Sequence, residues 1–563
     1  MEDKERKQLK FLRKKKVLLI TSLLFSLLLC INYSSKYFRQ STKATGNEKQ
    51  QNRQPIKVKD SLIQRAESET DAIQLAYMFE QASRQIEADP RDPVPFLVRA
   101  VVGEKLFLID QANHDYKSYG LLSGQSRYPK AKHPVSEPDA YEKLELAIDG
   151  YLLAHSSNQS SNKKEATSYL HQATNFAEEI AHNNDRFGVD LVSFYSTIPD
   201  TVAKELLGLR QRKNLIAATA AIENFEKTIE ELRELEELFQ QQSATIELES
   251  IAYLLAKFLM KSDNQRQEAS KIIETYLPIT KASSHRLNEA KLIFLRGEIA
   301  VYDGDETVSI NFHNESLEKL QTLLPTNFVL YPLYSIVGRQ ANTGSPETAL
   351  LQGLPALSLS LGLMKKSEKL YSGLASLFAQ FQGLAADNLR LEHLSEAYLH
   401  LAIKIAEESR LGYVLEAQCL LATLEAVRGK RDTALEAMAK AYEFADPDPT
   451  VDTHILSAYK GKVFGLLGDY EVSETEYRKA FEIIQKKGID NLPAAIQTEQ
   501  GLGEALWMQG KKREAKKHLE AVKKRLLKAG KDLKVLEKPN RLIGLNFTSK
   551  TPDQLLASEA TNR

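Results

Sequence analysis

The stretch Ser457–Ile484, SAYKGKVFGLLGDYEVSETEYRKAFEII, decides the fold of this chain. Two helix-forming runs lie on either side of the turn Gly468–Tyr470, and glycine at that point supplies the positive φ that ends the first helix. Ser473, five positions after Gly468, is small enough to let the second helix approach the first, and Tyr477, four positions later, fills the groove beside it. The stretch therefore predicts a hairpin of two closely packed helices.

This pattern occurs three times in the last third of the chain. The turn glycines Gly429, Gly468 and Gly510 lie 39 and 42 residues apart, and Ala434 and Ala515 take the place of Ser473 in the outer units. Each hairpin leaves one face apolar, so the units must stack to bury it. From about residue 61 onward, segments rich in Ala, Leu, Glu, Lys and Gln alternate with short breaks of Gly, Pro, Asn, Asp and Ser. The sequence predicts an all-α fold, an α-solenoid of helix hairpins.

These units resemble the tetratricopeptide repeat family. In the middle unit, Gly461 lies seven positions before Gly468 and Ala480 twelve after it, which matches the family pattern well, and the outer units match it moderately. The first-helix Trp of the family is missing, and the period of about 40 exceeds the standard of about 34. The resemblance covers roughly residues 410–528, with weaker similarity back to about 340. The residues assigned to the repeat structure are Gly429, Ala434, Ala441, Gly461, Gly468, Tyr470, Tyr477, Ala480, Gly503, Gly510 and Ala515.

The resemblance implies a protein-binding scaffold. In such stacks the first helix of each pair lines a concave side that accepts a peptide or a partner helix. On that basis we expect contacts with a protein or peptide partner, whose identity the sequence does not reveal. The expected partner-binding residues are Tyr459, Lys460, Lys462, Gln500, Glu504 and Trp507. For Trp507, the only Trp of the chain, packing in the core is the alternative role.

The other end of the chain carries a membrane signal. Residues 1–60 hold 15 Lys/Arg against 5 Asp/Glu, although the whole chain of 563 residues has 75 of each. Eight of these basic residues precede the apolar run Val17–Ile31. As a helix this run spans about 22 Å, and snorkelling lysines with the aromatic residues up to Phe38 extend it toward the roughly 30 Å of a hydrocarbon core. We expect an uncleaved signal anchor, with a cleaved signal peptide and a buried helix as the alternatives.

The positive-inside rule places the N-terminus in the cytoplasm and the large C-terminal part on the other side of the membrane. The polar, Gln- and Lys-rich stretch after the anchor reads as a tether. The predicted segments are a basic cytoplasmic tail (1–16), a transmembrane signal anchor (17–38), a flexible tether (39–60), a divergent helical domain (61–340), a repeat region (341–528) and a C-terminal tail (529–563).

Signatures of catalysis and of cofactor binding are missing from the sequence. The two cysteines, Cys30 and Cys419, are too few for a disulfide scaffold or a thiolate zinc site. There is no HExxH motif, no P-loop and no Gly-x-Ser-x-Gly motif. The basic excess lies beside the membrane, which argues against a nucleic-acid partner. We expect a non-enzymatic protein with no metal and no small-molecule cofactor.

Two alternatives stay open at this stage. An active site assembled from distant helices of residues 61–340 would make the chain an enzyme. A short heptad seam over residues 215–232 (Leu215, Ala218, Ile222, Phe225, Ile229 and Leu232) would organise a structural oligomer. Because residues 204–261 contain only Gly208 as a breaker, we expect that seam to lie on one long helix packed against a neighbour.

Overall fold

The structure, a computed structural model, describes residues 60–528 apart from 125–128, 135–138, 158–159, 220–224, 261–264, 304, 344, 365–367, 410–413, 446–452 and 488–492. None of the described residues lies in a β-strand, and the predicted all-α fold is confirmed. The basic tail, the signal anchor, nearly all of the tether and the C-terminal tail lie outside the described residues. Within the described part, no helix combines the length and the hydropathy that a membrane span requires.

The described residues form 23 α-helices and one 3₁₀ turn at Asn327–Val329. The helices are α1 (Asp60–Ser68), α2 (Ala72–Ala88), α3 (Pro93–Lys105), α4 (Ile109–Ser123), α5 (Ala140–Ser156), α6 (Ser160–Ala181), α7 (Phe187–Ser196), α8 (Asp200–Thr219), α9 (Phe225–Gln241), α10 (Thr245–Leu259), α11 (Arg266–Ala282), α12 (Arg286–Tyr302), α13 (Glu306–Gln321), α14 (Leu330–Thr343), α15 (Pro346–Leu363), α16 (Glu368–Asn388), α17 (Glu392–Glu408), α18 (Val414–Val427), α19 (Arg431–Ala445), α20 (Thr453–Leu466), α21 (Tyr470–Lys487), α22 (Pro493–Met508) and α23 (Lys512–Lys528).

Two units divide the chain, Met1–Gln64 and Arg65–Arg563, and the first is described only from residue 60. In the second unit consecutive helices pair as hairpins, among them α16 with α17, α18 with α19, α20 with α21, and α22 with α23. The first helices of the last three hairpins also contact one another, α18 against α20 and α20 against α22. These contacts bury the apolar faces that each hairpin alone would leave exposed.

Helix α2 makes a contact that no local pattern predicts, since it packs against α15 and α17, roughly 300 positions further along the chain. The carboxylate of buried Glu80 accepts hydrogen bonds from the backbone N–H of His393 (3.0 Å) and pairs with His393 Nδ1 at 2.9 Å. The hydroxyl of Tyr398 donates to the carbonyl of Leu106 (3.1 Å). The chain therefore returns on itself, and α2 and the end of α3 contact helices in the first part of the predicted repeat region.

A buried charge cluster lies inside the core formed by residues 140–328. The guanidinium of Arg210 is completely buried and pairs with Glu145, Glu247 and Asp149, the last at 2.6 Å. It also lies over the Tyr195 ring, 5.2 Å from the centroid. Burial alone would lower the pKa of Arg210, but the surrounding carboxylates raise it well above its ordinary value. Arg210 is therefore a fixed cation that joins α8 to α5 and α10.

The expectation of one long helix over residues 204–261 is wrong. The described chain forms three helices there, and α9 ends where Ser243 adopts φ = +51°, which reverses the direction of the backbone before α10. Of the heptad seam, Leu215 and Ala218 lie on α8, Phe225, Ile229 and Leu232 lie on α9, and Ile222 lies outside the described residues. The last members of the seam, Ile229 and Leu232, are buried in the core of this chain, whereas Leu215 is 63% exposed. These two buried positions are not available to a second copy.

Candidate functional site

The three turn glycines end their helices with the same backbone geometry. Gly429, Gly468 and Gly510 have φ values of +73°, +86° and +78°. At the middle turn the N–H of Asp469 donates to the carbonyl of Phe464 at 2.9 Å, and the equivalent bond is present at both other turns, at 3.0 Å each. This is the Schellman arrangement, which satisfies carbonyl groups left over at the end of a helix. The two helices of each hairpin are therefore joined by a turn of the same geometry.

Small residues bring the two helices of a hairpin together. Ser473 is fully buried and its hydroxyl donates to the carbonyl of Gly461 (2.7 Å). A Cβ on Gly461 would lie 2.9 Å from ring atoms of Tyr477, and one on Gly503 would lie 2.9 Å from Leu519. The side chains of Tyr477 and Leu519 thus occupy the space that these glycines leave open.

The first helices of the three hairpins present equivalent positions on one side. We define the first-helix stripe as the residues thirteen, nine, six and two positions before each turn glycine, because a spacing of three to four places them on one side of a helix. The outer positions are partly or fully exposed in all three hairpins. They are Glu416, Ile455 and Gln497 at the far end, and Val427, Leu466 and Met508 next to the turns.

The middle of the stripe is a buried polar floor. Lys462 and Glu504 occupy the same position in two hairpins, six before the turn glycine, and they are 7% and 0% exposed. Glu504 accepts a hydrogen bond from the amide of Gln500 (2.9 Å). The ammonium of Lys462 donates no hydrogen bond to any described residue. Burial lowers the pKa of Lys462 to about 7, against the opposing effect of the Asp387 and Glu504 carboxylates.

A second ionisable group without a described hydrogen-bond or ion-pair partner lies at the far end of the stripe, thirteen positions before the turn glycine. The carboxylate of Glu416 makes no hydrogen bond or ion pair with a described residue, and burial raises its pKa. Glu416 also lies close enough to Tyr459, on the next first helix, to raise the pKa of that phenol further above the value that burial gives it. Two opposite charges without direct partners thus line neighbouring first helices.

The repeats can now be compared with known families. Residues 454–527 match a family model described as tetratricopeptide repeat. This segment is a tetratricopeptide repeat region. No protein with a curated description is significantly similar to the chain.

Solved structures align with larger parts of the chain at low identity. The apo form of RapI aligns at 17% identity and a TM-score of 0.39, over 49% of this chain and 99% of its own. A Rap protein in complex with competence and sporulation factor aligns at 15% identity and a TM-score of 0.43, over 69% of this chain and 99% of its own. Aspartyl phosphate phosphatase F from Bacillus subtilis aligns at 15% identity and a TM-score of 0.41, over 71% of this chain and 98% of its own. These TM-scores lie below 0.5, so the assignment of the tetratricopeptide repeats rests on the sequence match and on the turn geometry.

The structure brings some of the predicted partner-binding residues together and separates others. Lys462, Gln500 and Glu504 belong to the buried floor of the repeat region, while Tyr459 is partly exposed beside them. Trp507 lies apart, packed against the cluster of Tyr477, Leu502, Leu506 and Ala515, with the ammonium of Lys512 5.6 Å from its ring centroid. Lys460 pairs with Glu476 at 2.6 Å and so points toward its own second helix. That these residues bind a partner stays a prediction.

Sequence reasoning missed Glu416, Asp387 and the apolar residues next to the turns. Glu416, Val427, Leu466 and Met508 occupy fixed distances from the turn glycines of the tetratricopeptide repeats, so aligning the three units on those glycines would have found them. Asp387 lies on α16, ahead of the recognised units, and no repeat signal marks its position. Its proximity to Lys462 depends on how the hairpins stack.

Proposed function

We propose that this chain is a scaffold whose tetratricopeptide repeats bind an extended segment of a partner protein along the first-helix stripe. The observation that carries the proposal is the repetition itself, because positions that are partly or fully exposed recur at the same places on three successive first helices. Packed helices lie about 8–10 Å apart, and an extended chain advances about 3.3 Å per residue. One bound segment would therefore present a side chain to each hairpin about every third residue.

The chemistry of the stripe favours a segment of mixed character. The exposed side chain of Met508 and the partly exposed side chains of Val427 and Leu466 offer contact area to apolar residues of the partner. Apolar area removed from water is the main favourable term in association. The unpaired carboxylate of Glu416 and the buried ammonium of Lys462 offer a partner two charges of opposite sign, which would fix the direction of the bound segment.

The scaffold is further proposed to be anchored by the predicted signal anchor at residues 17–38, with the repeats outside the cytoplasm. The basis is the apolar run Val17–Ile31 and the eight Lys/Arg before it. Protease added to intact cells or to sealed vesicles would distinguish the two sides. Digestion of the repeats together with protection of residues 1–16 supports this topology, and protection of the repeats contradicts it.

Position-specific crosslinking in the full chain tests the binding surface. A photoreactive phenylalanine analogue at position 466 lies on the first-helix stripe, and one at exposed Lys479 lies on the second helix of the same hairpin. The proposal predicts a discrete adduct from position 466 and none from position 479. Leu466→Glu, which places a charge among the apolar contacts, should abolish crosslinking from a neighbouring probe at position 508. Equal adducts from both faces, or none from position 466, would contradict the proposal.

A further inference from the structure

A cavity of about 370 Å³ opens to solvent among helices of the divergent helical region, and no residue of the first-helix stripe lines it. Its walls come from α5, α7, α10, α12, α14, α16 and the 3₁₀ turn. This volume is in the range of sites for small organic molecules. Aromatic rings make up much of the wall, among them those of Tyr141, Phe187, Phe328 and Tyr331.

Three hydrogen-bond donors in this wall have no partner among the described residues. The ammonium of Lys291 makes no hydrogen bond and no ion pair there, and its described contacts are the rings of Tyr253 and Phe328, each with its centroid 5.7 Å away. The hydroxyl groups of Tyr331 and Ser250 likewise have no described hydrogen-bond partner. The three residues are partly buried, and a cation and two hydroxyl groups around one cavity can donate hydrogen bonds to an acceptor-rich ligand.

The three carboxylates that line the cavity, those of Asp139, Glu142 and Glu145, belong to residues with interactions of their own. Glu145 pairs with Arg210, and Asp139 accepts the backbone N–H groups of Tyr141 (2.9 Å), Glu142 (3.2 Å) and Asn327 (2.7 Å). Burial lowers the pKa of Lys291, and the opposing effect of Glu145 does not restore it. An incoming anion would supply the charge that this lysine lacks.

We propose that the cavity binds a small aromatic anion, with its carboxylate or phosphate group on Lys291, Tyr331 and Ser250 and its ring against the aromatic walls. A carboxylate or phosphate accepts several charge-assisted hydrogen bonds at once. The Phe328 ring, which packs 5.2 Å from Tyr331 and faces Lys291, is placed to contact both ends of such a ligand. This site is distinct from the proposed partner-binding stripe and does not depend on it.

Calorimetry on the full chain tests the site with phenylacetate and phenyl phosphate, which separate carboxylate from phosphate recognition, and with neutral phenylacetamide. We expect one of the two anions to bind and phenylacetamide to bind much more weakly. Lys291→Met should weaken the anion by about tenfold or more, the loss expected for one charge-assisted hydrogen bond. Lys257→Met is the matched control, because the Lys257 ammonium lies 5.9 Å from the centroid of the Tyr331 ring and Lys257 does not line the cavity.

Tyr331→Phe, which removes only the hydroxyl, repeats the comparison if Lys291→Met lowers the folded fraction in circular dichroism. Binding of an anion that weakens in Lys291→Met or Tyr331→Phe and persists in Lys257→Met supports the proposal. No binding of either anion up to about 10 mM, the weak end of small-ligand affinities, overturns it. Equal binding to all variants, or equal binding of phenylacetamide, overturns it as well.

Discussion

The ring of Tyr477 fills the space that a side chain at Gly501 would need. A Cβ on Gly501 would lie 2.3 Å from Cζ and 2.6 Å from the hydroxyl oxygen of Tyr477. Tyr477 belongs to the second helix of one tetratricopeptide hairpin and Gly501 to the first helix of the next. Since Gly461 of its own hairpin lies against the other part of the ring, Tyr477 is held between two glycines and joins the two repeats.

Replacing Gly501 with alanine should therefore destabilise the repeat region. The added methyl group cannot fit without moving a buried ring, and overpacking of this kind costs about 1–3 kcal/mol. The measurement is the midpoint of urea unfolding in the full chain, followed by circular dichroism. The dependence of the unfolding free energy on urea concentration should stay unchanged. We expect the midpoint to fall.

Gly208→Ala is the matched control for that substitution. Gly208 also lies inside a helix, but a Cβ there would meet nothing within 4 Å. Alanine should stabilise that helix by about 0.5–1 kcal/mol, the ordinary propensity difference. If Gly501→Ala raised the unfolding midpoint as Gly208→Ala does, the close contact with Tyr477 would be refuted.

Local patterns predict the hairpins because the residues that form them are close in sequence. Gly468, Ser473 and Tyr477 act within one turn and its two flanking helices, and periodicity alone places them. The contact between Glu80 and His393 joins residues 313 positions apart, and no periodic signal relates them. The break between α9 and α10 is likewise not predicted, because serine, which has φ = +51° at Ser243, is not a residue type that marks a positive φ.

The candidate site divides in the same way. Helical spacing correctly places Lys462 and Glu504 at equivalent positions of two first helices. How deeply these two side chains are buried depends on how closely neighbouring first helices approach each other, and sequence spacing does not predict that distance. The cavity beside Lys291 depends on five helices besides its own and a 3₁₀ turn, so only the folded chain reveals it.

Arg210→Met should be among the most destabilising single substitutions in the chain. The guanidinium is completely buried and is shared by three carboxylates. Removing it leaves buried Glu247 with Lys213 as its remaining cation and strips the cation from Glu145 and Asp149. Breaking a buried charge pair from one side costs about 3–5 kcal/mol. Thermal unfolding of the full chain measures the loss.

Arg212→Met is the control, because Arg212 lies two positions away on the same helix and pairs with Glu234 on the surface at 2.6 Å. A surface ion pair contributes about 0–1 kcal/mol, so its loss should hardly move the transition. Similar effects of the two substitutions would show that Arg210 is not the buried centre of a charge cluster.

The contact between Glu80 and His393 should make stability depend on pH. The hydrogen bond with Glu80 raises the pKa of His393 above its ordinary 6.5, although burial opposes it. Burial would raise the pKa of Glu80, but the contacts with His393 lower it below 4.5. The stabilisation is therefore greatest between these ordinary values, and it is lost as pH rises through the raised histidine pKa or falls through the lowered glutamate pKa.

His393→Gln should remove this part of the pH dependence, about 1 kcal/mol for a pair of which one member is partly exposed. The test compares the melting temperatures of the two proteins at pH 5.5 and pH 8, a difference that should be smaller in the variant. His400→Gln serves as control, since His400 lies on the same helix with its side chain 59% exposed. An equal pH dependence in wild type and His393→Gln would refute the role of this pair.

Lys462 should destabilise the folded chain at neutral pH, so that Lys462→Met is stabilising. Burial lowers the pKa of this lysine from 10.5 to about 7. Between those values the unfolded chain binds more protons than the folded one, and stability must therefore rise with pH across that interval. Methionine fills a similar volume without a charge, and replacing a poorly compensated buried charge gains about 1–3 kcal/mol. Thermal unfolding at pH 7 and pH 9.5 should show a higher transition temperature in the variant and a smaller difference between the two pH values.

Lys460→Met, which removes the neighbouring lysine paired with Glu476 at 2.6 Å, should not produce this change. If Lys462→Met lowered stability at pH 7, the lysine would be acting as a paired structural cation, and its proposed availability to an acidic group of a partner would be wrong.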